Sequence, residues 1–163
     1  TTSRKVFLCE GREMILSDTV GFINKLPHGL IEAFKATLQE AVLADILLIV
    51  IDYSDNDWRR HMNDVEVVLR EVKADKVARI NFFNKIDSLG IEPRVEHDQC
   101  GRITNVWASA KKSEGLGFLK QAVLSHVLYN ERIHKEHGLD IYSNTANISD
   151  LVACKAPSTE SLL

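Results

Sequence analysis

Cysteine is scarce in this chain. Only Cys9, Cys100 and Cys154 occur, odd in number and far apart. They form no CxxC pair and no Cys/His ligand spacing, which argues against a disulfide framework or a zinc site and favours a reduced setting. The six histidines show no metal-ligand spacing either; His134 and His137 fall on a charged helix end and read as solvated side chains. No long apolar run is present. The longest, Ile46 to Ile51, falls far short of the roughly 20 residues that cross a bilayer.

A dominant charge is missing too. The formal net charge of −3 gives no electrostatic footprint for nucleic acid, so direct DNA binding is not expected. Thr1-Thr2-Ser3-Arg4 is not a targeting pattern, and opening on Thr1 rather than methionine reads as a cut. No internal repeat, nucleophile triad or carboxylate pair is legible. Nor is there a GxxxxGK[ST] segment anywhere in the sequence, including the stretch after residue 138, which excludes a circularly permuted order of motifs.

What is present suits one α/β domain. The 163 residues are 45% hydrophobic, enough apolar material for a real core. Val6 to Cys9 and Glu13 to Ser17 read as two strands about a Glu10-Gly11-Arg12 turn, hence a hairpin over 5–17. Residues 18–29 read as a loop. Leu30, Ile31, Phe34, Leu38, Ala41 and Val42 recur at helical period over 30–43. The continuous run Ile46 to Ile51 fits a strand buried on both faces of a parallel sheet. Ser54 or Asp55 can cap the next helix, whose stripe is Trp58, Met62, Val65, Leu69 and Val72. Strands over 77–83 and 106–108 follow, separated by a polar irregular stretch over 88–105. A last helix over Leu116, Leu119, Val123 and Val127 runs to about His137. The tail, 138–163, has no period and reads as a loose end. Strands alternating with helices in this way build a mainly parallel sheet.

Three short motifs stand where strands end, the edge at which open α/β sheets bind ligands. Asp18-Thr19-Val20-Gly21 is a DxxG turn. Its Asp can hold Mg²⁺ directly or through water, and its glycine lets a backbone N–H approach a phosphate. Asn84-Lys85-Ile86-Asp87 is an NKxD pattern. Its Asp can accept two N–H bonds from the Watson–Crick edge of guanine, which adenine cannot supply; the Asn amide can meet the N7 side and the Lys stem can lie along the base. Ser109-Ala110-Lys111 is a SAK-type loop whose backbone N–H groups can support the base. Each is weak alone. Their order, with NKxD about sixty residues after DxxG and SAK about twenty further on, is a strong joint signal for a GTPase.

Asp18-Thr19-Val20-Gly21-Phe22-Ile23-Asn24-Lys25-Leu26-Pro27-His28, followed by Glu32-Ala33-Phe34-Lys35-Ala36-Thr37-Leu38-Gln39-Glu40, closely resembles the HflX family of ribosome-associated GTPases. The likeness runs from about Thr2 to about Leu128 and is densest over 14–52. It implies a P-loop NTPase-type three-layer G domain over 1–137, lacking its first strand, P-loop and switch I, with 138–163 as a tail. It further implies GTP and GDP as ligands, Mg²⁺ as cofactor and the large ribosomal subunit as partner, with hydrolysis coupled to ribosome splitting or rescue. The implied location is cytoplasmic, peripheral to a membrane at most. Asp18, Thr19, Val20 and Gly21 would belong to switch II, Asn84, Lys85 and Asp87 to guanine recognition, and Ser109, Ala110 and Lys111 to the supporting loop. No catalytic residue is assigned beyond Gly21 and Phe22. Phe22 stands where many GTPases carry a water-positioning glutamine, implying slow hydrolysis that the ribosome stimulates. Ser113 stands where the family tends to have glycine.

In this fold the strand entering the phosphate loop lies between the 13–17 and 46–51 strands. Without it both would present bare N–H and C=O groups, and phosphate would lose its backbone cradle and lysine. This chain alone is therefore expected to fold poorly and to bind GTP weakly or not at all. The alternative reading is a truncated interaction module that no longer binds nucleotide.

Overall fold

Strand β1 (Thr2–Cys9) pairs antiparallel with β2 (Arg12–Asp18), Lys5 opposite Ile15 and Phe7 opposite Glu13, as the hairpin pattern requires. The computed structural model describes residues 2–9, 12–18, 41–136 and 150–155. The hairpin's turn at residues 10–11 lies outside them, as does residues 30–40 of the expected first helix; residues 41–43 are helical. Alternation along the hairpin turns Val6, Leu8, Met14 and Leu16 to the core and leaves Phe7 and Ile15 exposed.

The remaining elements follow the sequence pattern closely. β3 (Ile46–Asp52) is buried on both faces. Helix α1 (Trp58–Glu71) buries Val65 and Leu69, with His61 beside them. β4 (Ala78–Asn84) tolerates the two polar residues in its interior because each is paired: Arg79 with Glu66, and Asn81 with the Asn105 side chain at 2.8 Å. β6 (Ile103–Trp107) and α2 (Gly117–Glu136) complete the series. Two details differ. The stretch read as irregular contains β5 (Arg94–His97), an antiparallel partner of β6. The residue at the cap of α1 is Asp57, not Ser54 or Asp55; it makes no side-chain cap bond, while Asp55 Oδ1 accepts the Asp57 N–H at 2.9 Å.

The sheet has seven strands in the order β1-β2-β7-β3-β4-β6-β5. One interior strand is the main departure from expectation. β7 (Asp150–Lys155) comes from the tail that the sequence presents as loose, and it lies parallel to β2 on one side and β3 on the other. Leu151 stands between Leu16 and Ile46, and Val152 between Ser17 and Leu47. The expected bare edges of β2 and β3 are thus filled. The physical reason is the strong demand of two parallel strands for a partner, which a six-residue segment without any periodic signature can meet through backbone alone.

Alternate residues of β3 feed opposite faces. Ile46 and Leu48 pack with Ile80, Phe82, Val106 and the α2 residues Ala122, Val123 and Val127. Leu47, Ile49 and Ile51 pack with Phe83, Trp107 and the α1 residues Val65 and Leu69. Helices therefore cover both faces, giving the three-layer α/β arrangement that the motif order implies. β2, β7, β3, β4 and β6 all run the same way, so Asp18, Lys155, Asp52, Asn84 and Trp107 end them on one edge.

Because β7 pairs on both sides, Val152→Pro should remove a central ladder hydrogen bond and lower stability by about 2 kcal/mol or more in urea unfolding. His126 supplies a pH-dependent contribution. It is buried on α2, and burial holds its imidazole below the ordinary 6.5, partly opposed by its hydrogen bond with Ile103 O at 3.1 Å. The unfolded chain therefore takes up the proton first as pH falls through 6.5. The His126 contribution is complete above that value and lost below it. His126→Gln, which keeps a donor, should flatten the decline in unfolding free energy just below pH 6.5.

Candidate functional site

The carboxyl edge of β4 carries the NKxD residues. β4 ends at Asn84, and a short 3-10 helix (Ile86–Leu89) buries Ile86 and turns Asp87 back toward the edge. Lys85, between them, adopts a left-handed backbone with φ 66° and ψ 28°, which few side-chain-bearing residues do. β6 is the neighbour of β4, and Ala108 N–H continues the ladder to Phe83 O at 3.1 Å, which brings the loop after β6 alongside.

That loop is closed by paired backbone bonds between Ser109 and Glu114, at 2.9 and 3.1 Å. Ser113 sits inside it at φ 58°, which accounts for a glycine preference at this position. Gly115, at φ 74°, is required for a second reason: a Cβ there would stand 2.7 Å from Pro93 Cβ.

Two hydrogen bonds join the motifs. Asn84 Oδ1 accepts the Ala110 N–H at 2.9 Å. That partner can only donate, which assigns the oxygen end of the amide and leaves Nδ2 as the outward donor. Ser109, fully buried, donates its Oγ–H to Asp87 Oδ1 at 2.7 Å, and its Oγ also accepts the Lys112 N–H at 3.1 Å. The Ser109 bond is the main reason that the Asp87 carboxyl lies below its ordinary value, with Lys112 and Lys111 adding to it. A carboxylate offers about four acceptor positions, so Asp87 keeps capacity for further N–H donors. Among the loop's backbone donors, those of Ser109, Ala110 and Lys112 are engaged within the protein.

Ser54, Asn84, Lys85, Asp87, Ser88 and Lys111 line one pocket of about 340 Å³, at the lower end of the size for a small-molecule site. Beneath it lies an aromatic cluster. Phe83 stacks on Trp107 with centroids 4.5 Å apart, and Tyr53 and Trp58 meet Phe83 edge-on at 5.3 and 5.4 Å. Such pairs contribute about 0.5–1.5 kcal/mol each beyond their burial, and here they anchor Phe83, directly before the first motif, and Trp107, two residues before the second. Arg94 covers the Trp107 ring at 4.1 Å and Arg59 the Trp58 ring at 4.4 Å.

Of the residues singled out in the sequence, the structure brings together Asn84, Lys85, Asp87, Ser109, Ala110 and Lys111. Asp18 ends β2 on the same edge and is exposed, with β7 and β3 between it and the NKxD loop. Thr19, Val20, Gly21 and Phe22 lie outside the described residues. Among the described residues no group of three or more His, Cys, Asp or Glu side chains forms a cation cage. No helix among the described residues is long and apolar enough to cross a membrane.

Sequence reading missed two participants, Asp52 and Ser54. Asp52, at the end of β3, is in register with Asn84 and forms an ion pair with Lys85 at 2.6 Å. Burial raises its carboxyl, but the Lys85 and Ser54 hydrogen bonds outweigh this and hold it below its ordinary value. A polar residue ending a fully apolar strand was the available signal.

Helices on both faces of a mainly parallel sheet, with these loops at its carboxyl edge, define a P-loop NTPase-type domain of the GTPase class. A family model described as a 50S ribosome-binding GTPase matches residues 1–85, just over half of the chain. GTPase HflX of Caldanaerobacter subterraneus is 48% identical over 122 residues, covering 75% of this chain and 27% of that protein. GTPase HflX of Escherichia coli K12 is 42% identical over 123 residues, 75% of this chain and 29% of that one. GTPase HflX of Akkermansia muciniphila is 38% identical over 159 residues, 94% of this chain and 35% of its own length. The chain belongs to the HflX family of GTPases. It spans about a quarter to a third of these curated relatives. At 94% coverage the Akkermansia match extends past residue 137, so the tail shares in the likeness.

Ser109→Ala should let the Asp87 carboxyl rise toward its ordinary 3.8, read by carboxyl-carbon NMR titration; an unmoved Asp87 would contradict the assigned cause.

Proposed function

We propose that this chain carries the guanine-recognising part of an HflX-type GTPase, whose GTP hydrolysis is coupled to association with the large ribosomal subunit in ribosome splitting or rescue. One observation carries the base-recognition half: Asn84 and Asp87 are held in one pocket by hydrogen bonds from the Ala110 backbone and the Ser109 hydroxyl. Asp87 is then a preset acceptor for the ring N–H and exocyclic amino group of guanine. The Asn84 amide offers its N–H to the N7 side, and the Lys85 stem flanks the ring. The Lys111 backbone N–H is available to the base carbonyl beside Ser109 and Ala110. Adenine supplies no matching donor pair and would leave the outward acceptor face of the Asp87 carboxylate without partners.

On the phosphate side the proposal assigns Asp18 to Mg²⁺ through water and Thr19, Val20 and Gly21 to switch II, with Phe22 in place of a water-orienting side chain. Bound Mg²⁺ would neutralise phosphate charge. The likeness to HflX GTPases supports the ribosomal partner and a cytoplasmic setting.

The test is binding of fluorescent GTP, GDP and ATP with Mg²⁺, by this chain and by a longer chain that also carries a GxxxxGK[ST] segment. The longer chain should prefer guanine nucleotides, and Asp87→Ala should reduce that preference by roughly 100-fold or more, since two charge-assisted hydrogen bonds go. A longer chain that binds guanine and adenine nucleotides equally would overturn the reading, and one that binds neither would favour the interaction module.

A further inference from the structure

β3 and β4 end side by side, and the chain leaves β3 only after the Tyr53 N–H has bonded Asn84 O at 3.0 Å. The Asp52 carboxylate is mostly buried at this point, with 12% of its side chain exposed. Both its oxygens are occupied. Oδ2 lies 2.6 Å from Lys85 Nζ, while Oδ1 accepts from Ser54 Oγ at 2.6 Å and from the Ser54 N–H at 3.1 Å. Lys85 and Ser54 line the pocket; Asp52 stands behind them and is not one of its lining residues.

We infer that Asp52 is a positioning residue for this pocket: it holds the Lys85 stem against one wall and fixes the 52–54 turn that supplies the wall beside it. This inference rests on the reading of the pocket as a guanine site. Its physical basis is pre-organisation. A lysine stem has four rotatable bonds, and fixing it only when a base arrives costs conformational entropy. Lys85 also leaves the backbone from a left-handed residue, so its direction is set by the end of β4, and the Asp52 carboxylate is the charge that receives its far end. Asp52 touches no ligand, and guanine selection remains with Asp87.

The experiment compares the nucleotide-binding longer chain with its Asp52→Asn and Lys85→Met variants and the double variant, by fluorescent GDP affinity and GDP-over-ADP preference. In parallel, acylation of Lys85 by an amine-reactive ester is followed by mass spectrometry without nucleotide. Asp52→Asn, nearly isosteric, should weaken GDP roughly tenfold, leave the preference for guanine intact and raise Lys85 reactivity. The double variant should bind no worse than Lys85→Met alone, because both changes remove the same tether. Unchanged GDP affinity in Asp52→Asn overturns the inference, as does strict additivity in the double variant, while the pocket reading survives both. Failure of the unsubstituted longer chain to bind guanine nucleotides overturns the pocket reading itself. Wild-type Lys85 reactivity in Asp52→Asn would show that no tether exists.

Discussion

The in-register parallel pairing of β3 with β4 is the constraint from which the candidate site follows. Seven residues of each strand align, from Ile46 with Ala78 to Asp52 with Asn84. That register sets two polar residues side by side at the edge of an otherwise apolar pair. A shift by one residue would exchange the faces of Leu47 and Leu48 and bury the wrong set against each helix. The core therefore enforces the alignment of the edge. The placement of Asp52 beside Asn84 is thus inherited from hydrophobic packing along the two strands and needs no separate device.

The same logic explains the interior position of β7. Parallel strands buried on both faces have no solvent to satisfy their backbone groups, so a gap between β2 and β3 would leave two rows of donors and acceptors unpaired. β7 aligns four residues with β2 and five with β3. It supplies a strand but no glycine-rich loop leading into a helix, since no GxxxxGK[ST] exists in the sequence. Sheet closure and phosphate binding are thus separable properties here: backbone pairing meets the first, and only a particular loop meets the second.

Much of this was legible from residue patterns, and the exceptions are instructive. β3 could be read because six apolar residues in a row leave few alternatives, and α1 because its stripe is regular. β5 was not, since its four residues, Arg-Val-Glu-His, are an exposed edge pattern with one apolar position. β7 was not, because its four apolar residues, Leu151 to Cys154, stand in a tail with no periodic pattern and pair only with strands more than a hundred residues earlier. The motif strings themselves were visible, but their mutual bonding was not. Asn84 reaches Ala110, and Asp87 reaches Ser109, only because β6 adds directly beside β4. Asp52 escaped notice because a single aspartate at a strand end is no motif until its neighbour is known.

Where local rules are broken, they are broken at this edge. Lys85 and Ser113 take left-handed conformations that cost a non-glycine residue about 1–2 kcal/mol. Gly115 stands where any Cβ would strike Pro93. Elsewhere among the described residues the one other non-glycine of this kind is Lys73, at the end of α1 where a helix commonly terminates in that way. Strain of this size persists only when surrounding contacts over-determine it. Here they do: Lys85 is held between the end of β4 and the Asp52 carboxylate, and Ser113 inside a loop clamped by the Ser109–Glu114 pair. Unfavourable backbone geometry is thus concentrated in the two loops whose hydrogen bonds join Asn84 to Ala110 and Asp87 to Ser109, where the contacts that hold it are densest.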